Sequence, residues 1–151
     1  MTWTVLHDAC EHEDTETVIQ RSKVYTEEAI SVDDHGATPL HIACFNNPPV
    51  EVLEALICAH PKALAMKDMH GDTPLHIALC NPATNIYAIQ TLVEACPDAL
   101  LISNREGLKP LHEACRFGSM NDDVISLLVE ANGAAAKVRI RVRNIIFMHF
   151  L

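Results

Sequence analysis

Apolar residues recur along the chain in three matched columns: Leu53, Ile89 and Ile125; Leu56, Leu92 and Leu128; Ile57, Val93 and Val129. Within each segment they lie three and four residues apart, the spacing of one helix face rather than the alternation of a strand. The pattern predicts helices from Pro49 to Ala59, Ile86 to Ala95 and Asp122 to Ala131, halted by Pro61, Pro97 and Gly133. A shorter apolar phrase precedes each of them. It reads TVLHDAC from Thr4, TPLHIAC from Thr38, TPLHIAL from Thr73 and KPLHEAC from Lys109, at spacings of 34, 35 and 36 residues. A second phrase, LICAHPKAL from Leu56, LVEACPDAL from Leu92 and LVEANGAAA from Leu128, keeps step at 36. Two phrases holding one period establish an internal repeat.

Polar positions supply the punctuation. Asp33, Asp68 and Asn104 each stand three residues before a glycine, in DDHG, DMHG and NREG, which is turn chemistry with Gly36, Gly71 and Gly107 taking positive φ. Thr38 and Thr73 suit helix N-caps, with Pro39, Pro74 and Pro110 at the first helical position, where a missing N–H costs nothing. Lys109 departs from the cap pattern, so its helix is expected to start less firmly. These first helices are short and end near Asn46, Asn81 and Gly118. No single unit can bury its apolar face, so the units must stack into one core.

With its turn, Gly-x-Thr-Pro-Leu-His-x-Ala phrase, second helix and period, the sequence resembles the ankyrin repeat from residue 1 to about residue 136. The resemblance implies an all-α solenoid of stacked helix-turn-helix units with short β-hairpin loops. Four units follow: a capping repeat at 1–33 and repeats at 34–68, 69–104 and 105–136, with an atypical basic and apolar tail at 137–151. The repeat histidine is expected to hydrogen-bond hairpin backbone, and the cysteine three residues on fills a place where the family usually has alanine. The PxAL sequences at Pro61–Leu64 and Pro97–Leu100 mark a variant with a longer connection and no evident functional content. The first unit has Val5 in place of proline, and its second helix is legible only around Thr17 to Arg21. A fifth unit fails: VRIRVR alternates apolar and basic, and NIIFMHFL runs apolar to the last residue. That tail reads either as an altered end that leaves the fourth unit's face open or as a basic strand for a membrane surface or a partner.

Composition and charge narrow the function. Hydrophobic residues are 49% of the 151 and aromatics only 5%, which suits packed helices. The net charge of −9 is uneven: residues 1–37 carry nine acids against two bases, and residues 138–151 carry three arginines and no acid. An acidic body repels phosphate backbones, so no nucleic acid partner is expected. There is neither a signal-like start nor an apolar run of the roughly 18 residues a membrane helix needs. The six cysteines fall in repeat-equivalent rather than pairing positions, which points to buried free thiols and a cytoplasmic setting, the nucleus remaining open.

Candidate chemistry begins with His7/Cys10, His41/Cys44 and His112/Cys115, pairs that share a helix face at the spacing of a zinc site or an activated thiol. The third unit keeps His76 but has Leu79, so the pair breaks while the repeat persists. Neighbouring units stack about 10 Å apart, whereas zinc needs ligands within about 2 Å of one ion. The pairs are therefore architecture, and no metal or cofactor is expected. Nucleophile-elbow, metalloprotease, Walker and dinucleotide motifs are all lacking, so no enzyme is expected.

What remains is surface. The resemblance implies that partners touch the hairpin tips and the concave face at the ends of the first helices. Carried over by position, the tips are Asp34, His35 and Ala37; Met69, His70 and Asp72; and Arg105, Glu106 and Leu108. The helix ends are Glu11 and His12; Phe45 and Asn46; Cys80 and Asn81; and Arg116 and Phe117. Phe45 and Phe117 stand out, because an exposed aromatic anchors interfaces, the alternative being that each phenyl packs between units. The expected function is a monomeric interaction module or scaffold for a protein partner. Two other readings stay open: a piece of a larger ankyrin-containing protein whose effector region lies elsewhere, and a thiol- or zinc-responsive protein.

Overall fold

The computed structural model describes residues 3–81, 83, 85–116 and 122–131. Phe117 and the 137–151 tail lie outside the described residues, as does the predicted helix end at Gly118. Among the described residues the fold is helical and contains no strand. Four short helices, α1 (Val5–Glu11), α4 (Pro39–Phe45), α6 (Pro74–Cys80) and α8 (Pro110–Arg116), pack in sequence order as one layer. Behind them α2 (Thr15–Val24), α5 (Val50–Ala59), α7 (Ile86–Ala95) and α9 (Asp122–Ala131) form the second layer. The sequence expectation for the last three is met within a residue. α3 (Thr26–Ile30) completes the first unit.

The core lies between the layers. Leu53, Leu56, Ile89, Leu92, Val93 and Leu128 are buried, as the columns predict, while Ile57, Ile125 and Val129 are partly covered. A further buried column, Val52, Ala88 and Val124, was not singled out in the sequence. The PxAL segments form 3-10 turns at Pro61–Ala65 and Pro97–Leu101, and they bury Ala63, Leu64, Ala99 and Leu100. This corrects their reading as a mere longer connection: each seals the core with an apolar pair, worth about 1.5–3 kcal/mol for the leucine alone.

The first unit also differs from its prediction. α2 runs Thr15–Val24 rather than Thr17 to Arg21, started by Asp14, whose carboxylate accepts the Thr17 N–H at 3.1 Å. Glu28 of α3 accepts the Leu6 N–H at 3.0 Å and pairs with Arg21. A carboxylate there satisfies one of the orphan donors at the start of α1 and complements the positive end of its dipole.

The loops between units are single closed turns rather than two-stranded hairpins. The Asp33, Asp68 and Asn104 N–H groups donate to the carbonyls of Ala37, Asp72 and Leu108 at 3.0, 2.9 and 2.8 Å, and the Gly36, Gly71 and Gly107 N–H groups donate back to the Asp33, Asp68 and Asn104 carbonyls at 3.1, 3.0 and 3.1 Å, which closes a turn without a ladder. Inside each turn the same Asp or Asn side chain accepts two backbone N–H groups, from residues two and four further on. Adjacent tips are tied directly, Met69 N–H donating to the His35 carbonyl at 2.7 Å and Arg105 N–H to that of His70 at 3.0 Å. Gly36, Gly71 and Gly107 all have positive φ, as expected.

The thiols are less uniformly buried than expected. Cys10 and Cys44 are buried, Cys80, Cys96 and Cys115 are half-covered, and Cys58 is exposed on α5. Burial pushes the Cys10 thiol up to about 12 and raises Cys44 as well, so both are protonated core residues.

Two of the tip glycines separate strain from crowding. Gly71 and Gly107 have φ of 81° and 78°, but a Cβ on Gly71 would meet the Arg105 backbone nitrogen at 2.7 Å, whereas one on Gly107 meets nothing within 4 Å. Gly71→Ala is expected to cost about 2 kcal/mol or more and Gly107→Ala about 1 kcal/mol. Urea unfolding of the two variants checks this, and equal midpoints would show that the tip contact is unimportant.

Candidate functional site

The histidine of each phrase is built into the stack. At the start of α4, Thr38 N–H donates to His41 Nδ1 at 3.1 Å and the Thr38 hydroxyl lies 2.8 Å from the same nitrogen. Because Nδ1 accepts, Nε2 carries the proton and donates to the Asp72 carbonyl of the following tip at 3.1 Å. His7 repeats the arrangement with Thr4 and the Ala37 carbonyl at 3.3 Å, and His76 with Thr73 and the Leu108 carbonyl at 3.1 Å. Threonine and histidine thus form a capping box whose second arm reaches the next repeat. At the fourth unit Lys109 N–H still donates to His112 Nδ1 at 2.9 Å, but lysine lacks the hydroxyl that completes the box.

The helix ends divide by role. Asn46 donates through Nδ2 to the Cys10 and Glu11 carbonyls, both at 3.2 Å, and Asn81 donates to the Phe45 carbonyl at 3.1 Å. These amides satisfy carbonyls left over at the end of the preceding repeat's helix. Asn47, at φ 52°, adds a third link by donating to the Ala83 carbonyl at 3.0 Å and accepting the Asn85 N–H at 2.8 Å. Cys80 is half-buried, its thiol pushed up to about 12 by burial first and by the Glu113 and Asp72 charges next. Phe45 behaves differently: 67% of it is exposed.

Phe45 overhangs an open groove lined by Glu13, Asn46, Ile77, Cys80 and Asn81. The sequence reading did not single out Ile77 or Glu13. Ile77 belongs to the most variable place inside the repeat phrase, with three residue types across Asp8, Ile42, Ile77 and Glu113, and that variation was the available signal. Glu13 follows α1 with φ 57°, a loop geometry no spacing rule reveals. Phe45, Asn46, Cys80 and Asn81 are brought together at the groove. Glu11 and His12 are exposed at the end of α1, and Arg116 is exposed at the end of α8, 3.0 Å from Glu106.

At the tips, Asp34, His35, Met69, His70, Arg105 and Glu106 are exposed. Ala37, Asp72 and Leu108 are half-buried, and their carbonyls are those that accept from the repeat histidines. Asp72 also accepts from Asn104 Nδ2 at 2.8 Å, an amide that reaches Glu113 Oε1 at 3.2 Å. Glu113 is buried with Oε2 unpartnered among the described residues, and burial holds its carboxyl above the usual range. Among the described residues one cluster could hold a cation: Asp8, Glu11 and His12, with ligand atoms within 4.8 Å of one another. All three are exposed in plain helical register, and His12 Nδ1 already lies 2.9 Å from the Asp8 carbonyl.

A family model described as ankyrin repeats (3 copies) matches residues 47–140, more than half of the chain. No curated protein matches.

The histidine bridges carry a pH signature. Burial lowers the pKa of His7, His41 and His76 below 6.5, against the raising effect of the accepting carbonyls. A folded pKa below the unfolded one means the native state binds the proton more weakly. This contribution to stability is therefore complete above about pH 6.5 and is lost as pH falls below that value. His12, shifted upward chiefly by its bond to the Asp8 carbonyl, and Glu113, held up chiefly by burial, oppose the trend as two groups against three. The urea midpoint is expected to fall steadily from about pH 7 to about pH 5.5. A level or rising midpoint over that range would remove the bridges from the list of determinants.

Proposed function

Because the chain belongs to the ankyrin repeat family, whose members are generally protein-interaction modules, we propose that it recognises a protein partner through the groove at the first-helix ends and the exposed tips. The observation that carries this reading is Phe45. Every other residue of its helix serves the stack or is half-covered, yet the phenyl ring lies two-thirds in water beside half-buried Ile77 and Cys80. An aromatic standing over an apolar floor is the anchor type that dominates interface energetics. The exposed tip residues Asp34, His35, Met69, His70, Arg105 and Glu106 extend the surface, and Arg116 closes its far end.

The mechanism is static. The backbone is tied by the histidine and asparagine links, so the presented side chains need little ordering on binding, which limits the entropic cost. The family is typically non-enzymatic. Among the described residues no helix is long and apolar enough to cross a membrane.

The test compares Phe45→Ala with Tyr87→Ala, a change to another exposed aromatic (65%) on the second-layer helix α7. Partners captured by the wild type and each variant are quantified by mass spectrometry. Phe45→Ala is expected to lose specific partners, with a penalty of about 2 kcal/mol or more for a true anchor, while Tyr87→Ala keeps them. Identical capture profiles for all three proteins would sink the groove assignment.

A further inference from the structure

The groove has a direction, and the direction specifies the chemistry of what fits it. Ile77 and Cys80 of α6 line it beside Phe45 and Asn46 of α4, and each first helix has two positions in the same register as Ile77 and Cys80. In chain order the first is Asp8, Ile42, Ile77 and Glu113, and the second is Glu11, Phe45, Cys80 and Arg116. Both columns are apolar in the second and third units and acidic in the first. Asp8 and Glu11 are exposed, Glu13 lines the same groove as Phe45, and α1 contains no lysine or arginine. At the opposite end Arg116 is exposed in front of Glu106 and Glu113, at 3.0 and 3.8 Å. A cation on a ligand is drawn to the first unit, whose helix carries acids and no lysine or arginine, more strongly than to the fourth, where Arg116 already stands against Glu106 and Glu113.

Resting on the recognition reading above, we propose that the groove takes a peptide segment with one aromatic or branched aliphatic anchor and a lysine or arginine on one side of it only. The anchor packs between Phe45 and Ile77. The cation lies over Glu11 and Glu13. Neighbouring helices of the layer stand about 10 Å apart, and an extended chain covers about 3.3 Å per residue, so cation and anchor are separated by about three residues. A thiol at Cys80 that stays protonated keeps the groove floor uncharged beneath the anchor. Charge complementarity thereby fixes which way the segment runs.

The test uses a displayed library of random peptides selected on the full chain. Enriched peptides are then synthesised with a fluorophore and titrated against wild type, Phe45→Ala, a Glu11→Gln/Glu13→Gln double variant and Tyr87→Ala. All the altered residues are exposed, and circular dichroism melting confirms that each variant is folded. Enriched peptides are expected to carry the anchor with a one-sided cation about three residues away. They should weaken at least roughly tenfold on Phe45→Ala, and roughly three- to tenfold on the glutamine double variant with slower association. Tyr87→Ala should leave them unchanged. Peptides without a cation that still depend on Phe45 would keep groove recognition and overturn the partner chemistry. Peptides indifferent to Phe45, or no enrichment at all, would overturn both. Binding that strengthens about tenfold in an Arg139→Gln/Arg141→Gln/Arg143→Gln chain would identify the protein's own basic tail as the occupant, against a separate partner.

Discussion

The structure depends on a hydrogen bond that leaves its own repeat. In each of the first three units a buried imidazole accepts at the start of its helix and donates from its far nitrogen to the carbonyl of the next tip. One side chain therefore fixes a helix start, a turn and the distance between two units. Such a bond contributes only about 1 kcal/mol net, but losing it strands buried polar groups on both sides at about 1–3 kcal/mol each. The bond is one-directional, each unit donating to the one after it. No unit is complete alone, and the stack is held by nearest-neighbour terms.

A second set of bonds works at the other end of the first helices. Asn46 and Asn81 each reach back to carbonyls of the preceding unit, while the histidines reach forward. The side chains that take no part are left for the solvent, Phe45 foremost. Buried and exposed roles thus divide one short helix: His41 and Cys44 face inward, Phe45 faces out, and Asn46 closes the end.

Much of this was legible in the sequence, for physical reasons. The period, the second helices and the tip glycines are read directly because helical spacing and positive φ leave few residue choices. The thiol–imidazole pairs were read as packing from the break at Leu79, the distance between stacked units and the family role of the histidine. Other features were hidden. α3 is five residues long, too short for any periodicity, and its contribution depends on a contact between Glu28 and Leu6 across 22 positions. The burial of Leu64 and Leu100 follows from how a 3-10 turn folds back on the core, which composition does not show. At the groove, the sequence singles out Phe45 because aromatics are conspicuous, and the structure leaves it exposed. Asn46 and Asn81 were grouped with it because sequence position cannot tell a side chain that binds outward from one that caps a neighbour.

Both sets of inter-unit bonds end on main-chain carbonyls. Alanine, aspartate and leucine all serve as the histidine's acceptor residue, at positions 37, 72 and 108, with nearly the same geometry. Cysteine, glutamate and phenylalanine serve the asparagines equally well. A carbonyl is the one group that every amino acid supplies, so the scaffold sets almost no condition on what stands at its contact positions. Mutation can change the side chain at any of these acceptor positions without removing the carbonyl that joins two units.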